Sequence, residues 1–122
     1  MINPLDPVIN LLQKKHDQAM EHENKALELL ASGDKAGYES EMRLKAQALA
    51  EMAAEAEEFV EPLRPHPGND IPKTLKGFSG SASTALHLDS PFYMSALLYN
   101  DDHKPGEPDN LILYIQSLAQ AR

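Results

Sequence analysis

Apolar residues recur every three or four positions across residues 7–31, with Val8, Leu12, Ala19, Leu27 and Leu30 mainly on one face. Ile9, Leu11, Met20 and Ala26 widen that stripe. The period is that of an amphipathic helix. A second stretch, 35–60, carries Tyr38, Met42, Ala46, Leu49, Met52, Ala53, Ala56, Phe59 and Val60 in the same rhythm. Only Ser32, Gly33 and Asp34 separate the two. So short a break makes the helices fold back on each other as an antiparallel hairpin. Asp6 is placed to cap the first helix, with Pro7 at its first helical position, where a missing N–H costs nothing. Gly33 supplies a left-handed residue to end it, and Asp34 can cap the second helix. Alanines at 46, 48, 50, 53, 54 and 56 favour helix and permit close helix–helix approach.

The remainder reads in shorter pieces. Pro62, Pro65, Pro67, Gly68 and Pro72 mark 62–77 as a stiff connector. Small residues over 79–88 suit a helix packed closely on the hairpin. Ser90-Pro91 opens another, continued by Phe92, Ala96, Leu97 and Tyr99. After the polar loop 100–108, Asp109 can cap a last helix with Leu111, Tyr114, Ile115 and Leu118 on one side. No segment alternates as a strand. The expected fold is all-α in one domain: a long hairpin over 1–61, a connector over 62–77, and two or three short helices over 78–122.

Two local patterns resemble known families. The hairpin and its Gly-Asp turn are loosely similar to one tetratricopeptide unit, with no second copy following. Lys73-Thr74-Leu75-Lys76-Gly77-Phe78-Ser79 resembles the His-x-Leu-Lys-Gly-x-Ser motif of histidine phosphotransfer domains. The resemblance implies a helical bundle relaying phosphate, but Lys73 stands where the relaying histidine belongs. No phosphorelay is expected.

Charge narrows the partners. The formal net charge is −8, and residues 1–63 hold thirteen acidic against six basic side chains. Such a field disfavours phosphate backbones and anionic lipid, so neither nucleic acid nor a membrane surface is expected as partner. The first residues lack the basic start and apolar run of a secretory signal, and no cysteine is present. A soluble, cytoplasmic protein without disulfide or thiolate chemistry is the expectation.

Candidate chemistry is sparse. Ser83 and His87 share a helical face with Asp89 just beyond, a hydrolase-like set without an exposed perch or oxyanion donors. The five histidines fall at neither Glu-x-x-His nor His-x-x-x-His spacing, and the loop 101–109 misses EF-hand ligand positions. No catalytic residue, metal ligand or cofactor is assigned. Glu51, Glu55, Glu57, Glu58 and Glu61 instead form an acidic patch on the second helix, suited to a basic protein partner. The aromatics Phe92, Tyr93, Tyr99 and Tyr114 read as the lid of the core. The reading is a non-enzymatic interaction module, engaging a protein partner or forming a homodimer. The alternative is a bundle holding a small molecule or metal between the hairpin and the C-terminal helices.

Overall fold

The computed structural model describes residues 4–63 and 70–121. They form α1 (Asp6–Ala31), α2 (Lys35–Ala50), α3 (Met52–Val60), a 3-10 turn (Glu61–Leu63), α4 (Ile71–His87), α5 (Pro91–Ala96) and α6 (Asn110–Gln120). Among the described residues there is no strand. The α1–α2/α3 hairpin is the scaffold. α4 packs along α2 and α3, α5 on α2, and α6 on α1. Its core runs through Val8, Leu12, Ala19, Ala26, Met42, Leu49, Met52, Ala56, Leu75, Ala82, Met94 and Leu111.

The turn between α1 and α2 is built as the glycine implied. Asp34 N–H donates to Leu29 O at 2.8 Å and Gly33 N–H to Leu30 O at 3.0 Å, with Gly33 at φ 90°. This is a Schellman closure, in which a residue without Cβ takes the left-handed position. Asp34 then caps α2 by accepting from Gly37 N–H. Gly37 is required by that cap, since a Cβ there would lie 2.5 Å from the Asp34 carboxylate. At the other end Leu5, not Asp6, is the N-cap residue of α1, and Asp6 lies inside the first turn. Leu27 and Leu30 depart from the expected stripe, being about half exposed near the hairpin tip. The buried stripe of α1 runs instead through Lys15 and His16.

The second helix is broken, where periodicity alone gave one rod over 35–60. Glu51 separates α2 from α3, and the cause lies on α4. Ser79 Oγ–H donates to Leu49 O at 2.8 Å and accepts from Ala53 N–H at 3.0 Å. Those two backbone groups would bond each other in an unbroken helix. A hydroxyl inserted into the i→i−4 ladder spreads it and bends the axis.

A further departure concerns the connector. α4 already begins at Ile71, so 71–77 is helix and not part of a stiff link. Pro72 lies in the first turn, where it breaks no hydrogen bond, and the buried Ile71 and Leu75 hold that turn on the hairpin. Pro65 and Gly68 lie outside the described residues. Of the alanines of α2 and α3, Ala46, Ala48 and Ala56 are buried within the chain itself, whereas Ala54 is exposed.

Replacing Ser79 by alanine should leave Leu49 O and Ala53 N–H unpaired unless α2 and α3 rejoin. We expect a loss of about 1–2 kcal/mol, read as a lower urea midpoint at unchanged helicity. A variant of unaltered stability would mean that the ladder closes freely and that the hydroxyl does not hold the bend.

Candidate functional site

Two features stand out: a chain of charged groups inside the hairpin and an open groove beside α4. The first begins with Lys45, which has no exposed surface. Its Nζ donates to Glu23 Oε1 at 2.9 Å, to Ser95 O at 3.2 Å and to Leu97 O at 3.2 Å. All three ammonium protons are therefore used. The Tyr99 ring lies beneath, 5.1 Å from Nζ, while its hydroxyl donates to Glu23 Oε2 at 2.6 Å. Burial pulls the Lys45 pKa below its ordinary value, against the opposing pull of Glu23. Burial also drives the Tyr99 phenol upward, reinforced by Glu23. The acceptors Ser95 O and Leu97 O end the short helix α5, so Lys45 serves as its C-terminal cap from another element. Leu97 and Leu98 form a type II turn closed by Tyr99 N–H to Ala96 O at 3.0 Å. Leu98 holds the position usually given to glycine, at φ 76°.

Beside it, His16 Nε2 lies 2.6 Å from Asp109 Oδ2, both side chains buried. Asp109 has two duties, because its Oδ1 also caps α6 by accepting from Ile112 N–H at 3.0 Å. Burial disfavours the imidazolium, but the bond and charge of Asp109 and the nearby Asp17 leave the His16 pKa above its ordinary value. For Asp109 burial again opposes ionisation, yet His16 and the cap bonds bring its pKa down. His16 Nδ1 has no hydrogen-bond partner, the nearest carboxylate oxygen being Asp17 Oδ1 at 3.7 Å. His22 with Glu41 (2.7 Å) and Lys15 with Glu55 complete the series along the hairpin.

Glu41 and Lys45 stand four residues apart on α2, at the spacing of a surface ion pair, yet each turns inward to a partner on α1. Of the acidic patch, Glu51, Glu55, Glu57, Glu58 and Glu61 are all exposed. Glu55 and Glu51 are nonetheless opposed by the buried Lys15, at 3.8 Å for Glu51. Ser83 and His87 are both exposed, and Asp89 turns away to Arg43 (Nε–Oδ1 3.0 Å). Asp89 also ends α4 at φ 49°. The hydrolase-like set is therefore not assembled. Among the described residues no group of three His, Asp or Glu converges as metal ligands, and no helix is long and apolar enough to cross a membrane. His66 lies outside the described residues.

The second feature is a groove of about 950 Å³ between α4, α5 and the start of α6. Leu49 and Leu97 lie at its floor, Gly77, Ser81 and Thr84 on the α4 wall, and Tyr93 on the α5 wall. Lys76 is the one charged side chain in its lining. Leu88 and Tyr93 of its lining are 56% and 53% exposed, and Phe92, 74% exposed, lies beside the groove in edge contact with the Tyr93 ring. Those aromatics are thus a surface feature, whereas Tyr114 packs half-buried against the core and Tyr99 half-buried against Lys45 and Glu23. Lys73, at the histidine position of the phosphotransfer-like motif, is exposed in the first turn of α4.

No protein-family model, curated protein or solved structure matches the chain.

Removing the Lys45 ammonium strands a buried carboxylate and two carbonyls. Lys45→Met should cost about 3 kcal/mol or more, and adding Glu23→Gln should recover part of that loss. Simple additivity in urea denaturation would show the pair to be uncoupled. The His16–Asp109 pair gives a pH dependence of definite sign. Because the folded His16 pKa is raised, its contribution is full below the ordinary histidine value and fades as pH climbs through the folded one. Asp109, held low, contributes above the ordinary carboxylate value and fails as pH falls through its own. The protein should resist urea better near pH 5.5 than near about pH 8.5, and His16→Asn should flatten that slope. An unchanged slope in the variant would place the titration elsewhere.

Proposed function

We propose that the chain is a helical interaction module that seats an α-helix of a protein in the groove between α4 and α5. The observation that carries this reading is the pair Gly77 and Gly80 in the interior of α4. Each costs about 1 kcal/mol relative to alanine in a helix. Yet a Cβ at either would meet nothing within 4 Å, so the fold itself has no need of them. Both are exposed, as are Ser81 and Thr84 beside them. A bare backbone on an open helix face suits the close approach of a second helix, with ridges of one entering the grooves of the other. The apolar rim of Leu88, Phe92 and Tyr93 would supply the burial that holds it. The buried ionisable groups favour a binding role over catalysis, since Lys45, Glu23 and Asp109 are spent on one another and on the backbone.

A photo-crosslinking residue at Ser81, introduced into the full chain in its native cells, tests the reading. Adducts should map to helical segments and should exceed those from the exposed α6 position Gln116. Equal or absent adducts at the two positions would remove the groove as a docking site.

A further inference from the structure

We propose that the helix seated in this groove is α4 of a second copy of the chain, packed antiparallel about a two-fold axis near Gly80 and Ser81. The proposal rests on the reading of the groove as a helix seat, and it names the occupant. Three observations select a second copy.

The first is position. Gly77, Gly80, Ser81 and Thr84 occupy the middle of a helix running from Ile71 to His87. A two-fold there overlaps the two helices along nearly their whole length. An isologous contact needs a surface complementary to itself, and a central stripe of small residues meets that need without steps.

The second is charge. Each copy carries −8, concentrated on the hairpin, so two copies repel across most orientations. α4 contains no aspartate or glutamate, and α5 contains no charged residue. The carboxylate of Asp89 between them is already held by Arg43. Over α4 itself two copies meet without opposing carboxylates, while Asp70, its N-cap, and Asp89 lie at the two ends of the contact.

The third is direction. Lys73 and Lys76 are exposed in the N-terminal half of α4, and Lys73 lies in its first turn, where the dipole of its own helix disfavours a cation. Antiparallel pairing sets them over the C-terminal turn of the other α4, where carbonyl ends favour positive charge. Their methylene stems then cover the exposed Leu88 of the other copy, as long cationic side chains commonly do over apolar surface. Parallel pairing would bring four lysines together and leave Leu88 uncovered.

Because the chain has no cysteine, Ser81→Cys introduces a single thiol close to the proposed axis. Under mild oxidation this variant should form a disulfide-linked dimer much faster than a Gln116→Cys control. Light scattering of the unmodified chain should give twice 13.5 kDa at micromolar concentration. Gly80→Leu should weaken the dimer at least tenfold while the monomer stays helical and melts no lower, since leucine favours helix over glycine. That variant folds without strain, because the position faces open space. A chain that stays at 13.5 kDa into the high micromolar range overturns the proposal, as does a Ser81→Cys rate equal to the control. The two readings fail separately. Ser81 photo-adducts on another protein, with a monomeric purified chain, would sink the second copy and leave the groove as a helix seat. No adducts and no dimer would sink both.

Discussion

The structure depends on neutralising charge inside its own hairpin. Lys15, His16, His22 and Glu23 of α1, with Lys45 of α2, lie on the faces that α1 and α2 turn toward each other and toward the C-terminal helices. A hairpin alone cannot bury such a set. Its partners come partly from far along the chain: Asp109 for His16, Tyr99 for Glu23, and the carbonyls of Ser95 and Leu97 for Lys45. Each of these fixes the position of a C-terminal segment on the hairpin. α5 has only six residues and would not persist as an isolated helix. It is held by Met94 in the core and by a lysine at its C-terminal end.

This has consequences for specificity. Apolar packing is tolerant of sliding, whereas a buried ammonium with three acceptors tolerates almost none. Asp109 joins the two constraints, since one oxygen starts α6 and the other grips α1. Ser79 acts in the same way on the opposite side, docking α4 by opening the ladder between α2 and α3. The C-terminal half is thus located by polar contacts at a few points and cushioned by apolar ones between them. What this positioning leaves outside is an α4 face with bare glycines, next to an apolar rim.

Much of the local structure was legible. Gly33 and Asp34 at the hairpin turn, Ser90 before α5 and Asp109 before α6 all perform the roles their types and positions imply. Proline and glycine misled over 71–77, because Pro72 falls in a first turn and Gly77 in a helix that neighbours hold in place. Lys15, His16, His22, Glu23 and Lys45 were the signal overlooked. They stand at the same three- and four-residue spacing as Val8, Leu12, Ala19, Met42 and Leu49, and charged residues at stripe positions announce a buried polar network. The acidic residues at 51–61 showed a surface, but not that Lys15 reaches two of them from beneath.

The sequence by itself determined the all-helical character, the caps at Asp34, Ser90 and Asp109 and the reversal at Gly33, since these follow from side-chain period and from backbone rules acting within a few residues. Tertiary structure alone decided where Lys45 finds its acceptors, why the second long helix bends at Glu51, and which face of α4 stays open. Those outcomes depend on groups tens of residues apart in the chain, such as Ser79 with Leu49 and Lys45 with Leu97. No local period encodes such pairings, because what selects them is the cost of leaving a buried polar group alone.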